Sequence, residues 1–541
     1  MQFARLQEAK NHIIKAHFHA MKILSFLFLI TVVFLSFCSQ SCRQKVKSPV
    51  TENNTQFDSS AIAPFFEAHP VLKKYEEDLV IMYRNCNYTY IWFDQKGIVE
   101  YGSSLYSKVN DVDEEGISGA FPYKQKVDEI FSNGNKNKLN DTDTELMLTS
   151  LYLYYVDKVY KGFEPKTTTA MEWLLPRKNI SYSQLLDSLI SDEEAGIEEA
   201  GNQILFSQYF RLRDALKRYR EIEKQGGWKT IEIHPEKKYK PNDTGRAIRQ
   251  IRDRLFITGD IKQNNKSNRY DSELLMAVNK YQLRNGYKSD SLISQEHIQS
   301  MNRPIEERIK AIVVNMERCR WLSPDIFTSR EFIFVNIPSY ELSFIRDEKV
   351  EFHSSVVVGK SMSRTVIFGG KMSYIVFSPY WNLPESIIDD EVKPGIANNK
   401  NYLKSHNMEW NNGQVRQLPG KRNSLGLVKF MFPNSNDIYF HDTPSKGLFK
   451  EENRAFSHGC VRVDKARELA ISILKEDKKW TVEKIDDAMN SGKEKIASLK
   501  NKIPVHIGYF TAWADDEGVI SFYKDIYERD DRLAALLFHK G

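Results

Sequence analysis

One cysteine of the chain lies in a setting that suits nucleophilic chemistry. Cys460 follows Ser457-His458-Gly459, and Arg462 lies two residues beyond it. A second histidine, His441, ends an apolar run at residues 438–440. A thiol needs a base to lose its proton near neutral pH, and the oxyanion that it creates on a carbonyl needs hydrogen-bond donors. The pattern therefore predicts a cysteine nucleophile with a histidine base at a strand end facing a cleft.

The residues by themselves leave several roles open. Either His441 or His458 could be the base. Gly459 allows a tight turn, so that successive N–H groups around His458 can hold an oxyanion. Arg462 could bind a substrate carboxylate, neutralise the surroundings of the thiolate, or be structural. A zinc site of both histidines and Cys460 is the chemical alternative, but the chain lacks the close-paired ligand spacing typical of zinc. We expect no metal and no cofactor.

Composition excludes other classes of protein. The 541 residues are enough for several domains, and the net charge of +5 reflects 77 basic against 72 acidic residues spread along the chain. This charge does not require nucleic acid, and no nucleic-acid partner is expected. Five cysteines are too few for a disulfide framework. A bridge between Cys86 and Cys319 stays open, with two buried thiols as the alternative.

The amino terminus has the features of a targeting segment. Met21-Lys22 is followed by an apolar run at 23–37 and then by Cys38 and Cys42. Such a segment is typical of a secretory signal, a lipoprotein signal or a short membrane anchor, and each would place the protein outside the cytoplasm. We interpret residues 1–48 as leader and residues 49–64 as a polar tether.

Hydrophobic periodicity divides the remainder of the chain. Residues 65–235 show helical spacing, which predicts a helical domain. Gly226-Gly227 marks the end of the long helix in this region. Residues 245–305 contain three short apolar stripes, which indicate a compact three-helix unit, and residues 306–327 form a connecting helix. Residues 328–535 change to short β-type runs separated by turn residues, including a turn predicted at Gly369-Gly370.

A long polar insertion at about 380–423 interrupts the β region, and segments of this length are usually functional lids or disordered. Trp381, at its start, could form a wall of the cleft or belong to the core. The predicted fold class is therefore multi-domain α+β, with a mostly antiparallel β domain that follows a helical N-terminal part.

Two half-motifs resemble a known family. His441-Asp442-Thr443-Pro444 and the later Ser457-His458-Gly459-Cys460-Val461-Arg462 are similar to the active-site signature of the L,D-transpeptidases, the YkuD family. The resemblance extends to the multi-domain YcbB-type branch, whose catalytic domain carries a capping insertion. Residues 274–286 resemble the small three-helix peptidoglycan-binding domain.

The resemblance implies roles for individual residues. It favours His441 as the base, with the carbonyl of Asp442 orienting the imidazole, and His458 and Gly459 shaping the oxyanion loop. Substrate-binding residues are expected among Arg462, Asp442, Trp381 and Ser457.

The resemblance also implies an activity at the bacterial cell envelope, on its periplasmic side. Cys460 would accept a peptidoglycan stem peptide as a thioester, release its terminal D-Ala and transfer it to a second stem. Water or a protein amine are alternative acceptors, and a non-catalytic scaffold that binds the wall is a further alternative. The amino-terminal segment would contact the cytoplasmic membrane or lipid.

Overall fold

The computed structural model describes residues 55–94, 97–132, 141–191, 204–234 and 237–538. The expected leader lies outside these residues. Within the described part of the chain, no helix combines the length and apolar character that a membrane crossing needs.

The N-terminal region is helical and is built around one buried helix, Thr142–Val156. Its leucine, methionine and tyrosine side chains cover every side of the helix, and a helix apolar all round needs neighbours on all sides. The other α-helices of the region are Ile62–Ala68, Glu76–Asn85, Glu100–Asn110, Lys124–Ser132, Pro165–Ala170, Tyr182–Ser191 and Gln208–Lys224. Three short strands accompany them: β1 (Phe93–Asp94), β2 (Gly97–Ile98) and β3 (Trp173–Leu174).

The three-helix unit consists of Arg246–Ile257, Ser272–Arg284 and Gln295–Met301. Asp271 caps the second helix by accepting a hydrogen bond from the N–H of Leu274, at 3.0 Å. Ser294 and His297 form a reciprocal capping box at the third. These caps satisfy N–H groups that a helix start leaves free. The unit has its own apolar core, separate from the main one.

The helix Ile305–Trp321 occupies a more central position in the molecule than the connecting helix expected at 306–327. Besides the apolar residues facing inward, it buries four charged side chains, Arg308, Glu317, Arg318 and Arg320. Arg320 lies 3.0 Å from Glu317, and Arg318 lies 2.8 Å from Asp530 near the carboxy terminus. Paired charges of this kind can be buried because each has a partner. The helix therefore ties the N-terminal region to the β domain.

The β domain supplies most of the strands. They are β4 (Glu331–Asn336), β5 (Glu341–Arg346), β6 (Lys349–Gly359), β7 (Ile367–Phe377), β8 (Trp381–Asn382), β9 (Met408–Asn411), β10 (Gln414–Gln417), β11 (Val428–Met431), β12 (Phe440–His441), β13 (Ala455–Ser457), β14 (Val461–Val463), β15 (Lys495–Gly508), β16 (Ala512–Ala514) and β17 (Ile520–Phe522). Its α-helices outside the insertion are Ala466–Leu474, Val482–Asn490 and Asp530–Leu537.

The main sheet has the strand order β11-β12-β14-β6-β5-β4-β15-β7-β3, and an additional pairing of β11 with β7 closes it on itself. Most pairs are antiparallel, but β12–β14, β4–β15, β3–β7 and β6–β13 are parallel. Because β3 belongs to the helical region, that region adds a strand to the main sheet. The expected α+β fold class is confirmed.

The turn predicted at Gly369-Gly370 is wrong, since both glycines lie inside β7. A Cβ at Gly370 would lie 3.2 Å from the Phe432 ring, and one at Gly369 would lie 3.3 Å from Pro176. Glycine in a strand often marks such a close approach. The two residues therefore serve packing across the strand.

The insertion forms a small subdomain. β8, β10 and β9 make a three-stranded sheet, and the helical segments Glu385–Ile387, Lys393–Asn398 and Tyr402–Ser405 lie beside it. Its buried apolar residues form a cluster separate from the main core, and Trp381 packs against that cluster. Trp381 therefore contributes to the core of the insertion.

The cysteines of the described region carry free thiols, namely Cys86, Cys319 and Cys460. The open alternative of a bridge between Cys86 and Cys319 is therefore wrong. Burial raises the pKa of both structural thiols, Cys86 to about 11. The two arginines beside Cys319 do not offset this desolvation.

Candidate active site

The closed sheet brings His441 and Cys460 onto adjacent strands. β12 and β14 run parallel, with Phe440 opposite Val461 and His441 opposite Arg462. Phe440 and Val461 are fully buried in the core. Alternate residues of a strand point to opposite faces. His441, Arg462 and the preceding Cys460 therefore share the other face of the sheet.

The imidazole of His441 has one defined tautomer. Its Nδ1 lies 2.5 Å from the carbonyl oxygen of Asp442. A carbonyl only accepts hydrogen bonds, so Nδ1 carries the proton and Nε2 is left as the basic nitrogen. Burial, and secondarily the positive charge of Arg462, lower the pKa of His441 to about 3. The ring is therefore neutral at physiological pH.

The thiol of Cys460 is also protonated at rest. The side chain is half-buried, and its Sγ lies 3.7 Å from the carbonyl oxygen of Asp437. Burial raises the pKa of the Cys460 thiol, while hydrogen bonds from Tyr439 and the charge of Arg462 act in the opposite direction. Among the described hydrogen bonds, none joins this sulfur to His441. The resting pair is thus a neutral thiol and a neutral imidazole.

The loop that carries the cysteine is held by one serine. Ser457 is buried, and its Oγ donates to the carbonyl of Cys460, at 2.5 Å, and accepts from the N–H of Gly459, at 3.2 Å. Gly459 has φ +118°, in the region that favours glycine. The placement of Ser457 argues against the predicted substrate contact, because its hydroxyl is used inside the loop.

The hydrogen bond between Gly459 and Ser457 changes which N–H groups can hold an oxyanion. The N–H of Gly459 is engaged by Ser457, so it does not face a substrate. The N–H groups of His458 and Cys460 have no protein partner among the described hydrogen bonds. The His458 side chain is exposed. These two N–H groups are the remaining candidates for holding an oxyanion.

The other predicted site residues take different positions. Arg462 lies opposite His441, and its Nε is buried without a protein partner. The carboxylate of Asp442 accepts from the N–H of Leu427 and lies 2.9 Å from Lys446 Nζ. That carboxylate is therefore occupied away from the imidazole, and only the backbone carbonyl of Asp442 contacts the ring.

Sequence reasoning missed residues around the pair. The Tyr439 hydroxyl contacts both Cys460 and Trp381, and burial raises the pKa of this tyrosine. Tyr439 precedes His441 by two positions, and strand periodicity could have placed it on the same face. The contact also places Trp381 close to Tyr439, next to Cys460. For the described residues, no group of three or more histidine, cysteine, aspartate or glutamate side chains is arranged to hold a metal ion.

Comparison with known proteins finds two domains to which parts of the chain are similar. Residues 330–483 match the family model of the L,D-transpeptidase catalytic domain, YkuD. Residues 330–483 are therefore identified as an L,D-transpeptidase catalytic domain. Residues 77–216 match a second model, described as a Scaffold domain. The transpeptidase domain therefore contains β12, the cysteine loop and β14, whereas β15 to β17 lie beyond its match.

One curated relative is similar to part of this chain. A Haemophilus influenzae protein that bears the name L,D-transpeptidase is 35% identical over 243 residues, which is 41% of this chain. The chain spans about half of that relative, 48%.

Two of the solved structures that are similar to parts of this chain bear the name L,D-transpeptidase. The Stackebrandtia nassauensis L,D-transpeptidase is 14% identical with a TM-score of 0.21, over 50% of this chain and 94% of its own. The Mycobacterium smegmatis L,D-transpeptidase is 10% identical with a TM-score of 0.20, over 33% and 58%. Because both TM-scores are low, nothing about the fold or function of this chain is inferred from these two structures.

Proposed function

We propose that this protein is a cysteine L,D-transpeptidase that cross-links peptidoglycan stem peptides through a thioester on Cys460. The observation that carries the proposal is the parallel register of β12 and β14, which puts His441 and Cys460 on one face of the sheet. The activity is that of the family whose catalytic domain the chain carries.

In the first step, Nε2 of His441 takes the thiol proton while the sulfur attacks a peptide carbonyl. The N–H groups of His458 and Cys460 stabilise the oxyanion, an effect worth roughly 3–4 kcal/mol per donor. The C–N bond then breaks, and the proton passes to the amine of the departing D-amino acid. Because both groups are neutral at rest, removal of the thiol proton accompanies the attack.

In the second step, an amine of a neighbouring stem attacks the thioester. A C–N bond forms, the C–S bond breaks, and the proton released by the amine returns to the sulfur through His441. The acyl-transfer potential is stored in the thioester, so no nucleotide is consumed. Arg462, opposite the imidazole, is positioned to bind a carboxylate of the substrate.

The decisive experiment is intact-mass spectrometry of the protein after incubation with a carbapenem. Attack of Cys460 opens the β-lactam ring, so the mass should rise by that of the whole drug. The Cys460→Ala variant should show no adduct, and Cys319→Ala should react as the wild type does because that thiol is buried. An active preparation that gains no mass contradicts the proposal.

The acceptor distinguishes three versions of the activity. A stem-peptide amine gives a cross-link, water gives an L,D-carboxypeptidase, and a protein amine attaches that protein to the wall. Incubation of purified tetrapeptide stems with the protein, followed by mass spectrometry, separates dimers from trimmed monomers. If Cys460→Ala still bound the wall but neither product formed with the wild type, a non-catalytic scaffold would be favoured.

We further propose that the protein works on the periplasmic side of the bacterial envelope, held at the membrane by its amino-terminal segment. The apolar run at 23–37 and the nearby Cys38 and Cys42 support this. Fractionation of cells expressing the full chain and a Cys38→Ala, Cys42→Ala double variant would test it. Release of the double variant alone indicates lipidation, and recovery of wild type from the cytoplasm contradicts the proposal.

A further inference from the structure

The loop bearing Cys460 rests on a second loop, at residues 360–364, between β6 and β7. The carbonyl of Ser457 accepts from the N–H of Lys360, at 3.0 Å, and from the hydroxyl of Ser363, at 3.3 Å. Thr365, which closes this second loop, is fully buried, and its Oγ1 donates to the carbonyl of Gly459, at 2.8 Å. The cysteine loop is thus held by hydrogen bonds from residues 360–365 as well as by Ser457 within the loop.

The bond from Thr365 acts on the peptide group that contains the proposed oxyanion donor. The carbonyl of Gly459 and the N–H of Cys460 belong to one planar peptide unit, and in a trans peptide they point in opposite directions. Fixing the carbonyl on the Thr365 side therefore aims the N–H of Cys460 the other way. A hydroxyl that is hydrogen-bonded to the carbonyl of this peptide group therefore also sets the direction of its N–H.

The hydroxyl of Thr365 has one possible orientation. Its Oγ1 accepts from the N–H of Gly359, at 2.9 Å, so its own proton is directed to Gly459. Tyr527, also fully buried, accepts from the N–H of Thr365, at 3.1 Å, and donates to the carbonyl of Gly359, at 2.6 Å. Tyr527 therefore clamps both ends of the supporting loop together.

Tyr527 reaches this position from outside the matched catalytic domain. It follows β17, beyond the match that ends at residue 483. Its N–H donates to the hydroxyl of Tyr509, at 2.9 Å, and that hydroxyl donates to Asp525, at 2.5 Å. The carboxy-terminal segment is thereby linked to the cysteine loop through four hydrogen-bonded residues.

We infer that Thr365 and Tyr527 are positioning residues, which aim the N–H of Cys460 at the oxyanion without touching the substrate. The inference rests on the proposed function for its chemical consequence. Removing either hydroxyl should leave the thiol in place but let the peptide plane of Gly459 and Cys460 rotate. Reactions that create an oxyanion should then suffer, and reactions that do not should be unaffected.

The test compares two reactions of Cys460 in the variants Thr365→Val, Thr365→Ser and Tyr527→Phe of the full chain. Acylation by a carbapenem creates an oxyanion, whereas alkylation by iodoacetamide displaces iodide and creates none. Complete loss of an oxyanion donor costs about 10²–10³ in rate, so a misdirected donor should slow acylation by roughly 10–100-fold. Alkylation should stay within about twofold of the wild type.

The conservative variant and a matched control separate positioning from stability. Thr365→Ser keeps the hydroxyl and should acylate at nearly the wild-type rate. Thr149→Val removes a buried hydroxyl from the N-terminal region, where it bonds Tyr83 and Trp92, and should change neither reaction of the folded protein. Wild-type acylation by Thr365→Val and Tyr527→Phe would overturn the inference, and so would an equal loss in both reactions.

Hydrogen exchange decides the inference independently of activity. Amides at 458–461 should exchange faster in Thr365→Val than in the wild type and in Thr149→Val, because the Gly459 carbonyl has lost its external bond. Equal exchange rates in all three proteins would overturn the inference. Failure of the wild type to acylate would count against the proposed function instead, and the exchange comparison would still decide the positioning role.

Discussion

At the scale of single residues, the environment of the two reactive side chains determines their protonation. His441 is buried with its Nδ1 on a carbonyl, and Cys460 is half-buried with a carbonyl near its sulfur. A preformed thiolate would need an imidazolium beside it, but the pKa of His441 is lowered to about 3. The thiol of Cys460 is therefore protonated at neutral pH and has to lose its proton during the attack on a carbonyl.

The alkylation rate of Cys460 should report this protonation state. Because burial raises the thiol pKa, the rate with iodoacetamide should increase about tenfold per pH unit from pH 6 to 9, without a plateau near neutrality. Stopped reactions analysed by peptide mass spectrometry give the rate at Cys460 alone, with Cys86 as an internal comparison. A plateau between pH 5 and 8 would instead indicate a thiolate–imidazolium pair.

A second buried histidine should make the fold acid-sensitive. His506 in β15 is buried next to the backbone of Ile326, and burial lowers the pKa of its imidazole to about 4. In the unfolded chain the pKa of a histidine is near 6.5. The stability that comes from keeping His506 neutral is therefore present above about pH 6.5 and is lost as the pH falls toward 4.

We expect His506→Phe to reduce that loss by about 2–3 kcal/mol between pH 7 and 4, because phenylalanine cannot take up a proton. The aromatic neighbours Phe327 and Phe332 should accommodate the new ring. Urea unfolding at the two pH values measures the difference. The exposed His406→Phe serves as control, and an unchanged pH dependence in His506→Phe would contradict the prediction.

At the scale of elements, the insertion behaves as a unit with its own core. Val415 in β10 is fully buried among Leu383, Ile388 and Val392, and none of these belongs to the main cluster. Segments with few contacts to the main core can open separately from it. Tyr439 contacts both Trp381 of the insertion and Cys460, so opening of the insertion would change the surroundings of Cys460.

Val415→Ala should loosen the insertion without weakening the main fold. Removing buried methyl groups leaves a cavity that costs about 1–2 kcal/mol locally, so proteolysis within 385–405 should accelerate about tenfold. Limited proteolysis with mass spectrometry locates the cuts, and calorimetry follows the main transition, which should not move. Exposed Trp410→Ala is the control. A fall in the main transition would show that the insertion unfolds together with the sheet.

At the scale of the whole molecule, a buried ion pair within the three-helix unit also contacts the carboxy-terminal hairpin. Arg284 contacts both carboxylate oxygens of Asp260, at 2.7 Å each, and donates to the carbonyl of Ile520 in β17. The neighbouring Asn285 accepts from the N–H of Phe522, at 2.9 Å. The unit is therefore attached to the segment that also supplies Tyr527.

Asp260→Asn should destabilise the protein strongly. It leaves the buried guanidinium of Arg284 without its counter-charge, and breaking such a pair typically costs about 3–5 kcal/mol. Urea denaturation followed by fluorescence measures the loss. Asp389→Asn removes an exposed partner of Lys393 and should cost less than about 0.5 kcal/mol. Similar small effects for both variants would show that the buried pair is not structural.

The sequence by itself was enough to predict the cysteine and histidine motifs, the change from helical to β periodicity and the α+β class. These features are local, since a motif or a stripe of apolar residues is visible within a short window. The strand containing Phe440 followed from its apolar run, whereas the strand containing Val461 was not predicted. The roles of His441 and Cys460 stay predictions that the parallel register supports.

Only the tertiary structure decided which distant residues meet. The closure of β11 on β7, the addition of β3 to the catalytic sheet and the contact of Tyr527 with Thr365 join segments far apart in the chain. The tertiary structure also determines the protonation of His441, because the pKa of His441 depends on burial by the whole domain. No window of sequence reports desolvation or long-range pairing, which is why Ser457 was expected at the substrate and is found inside its own loop.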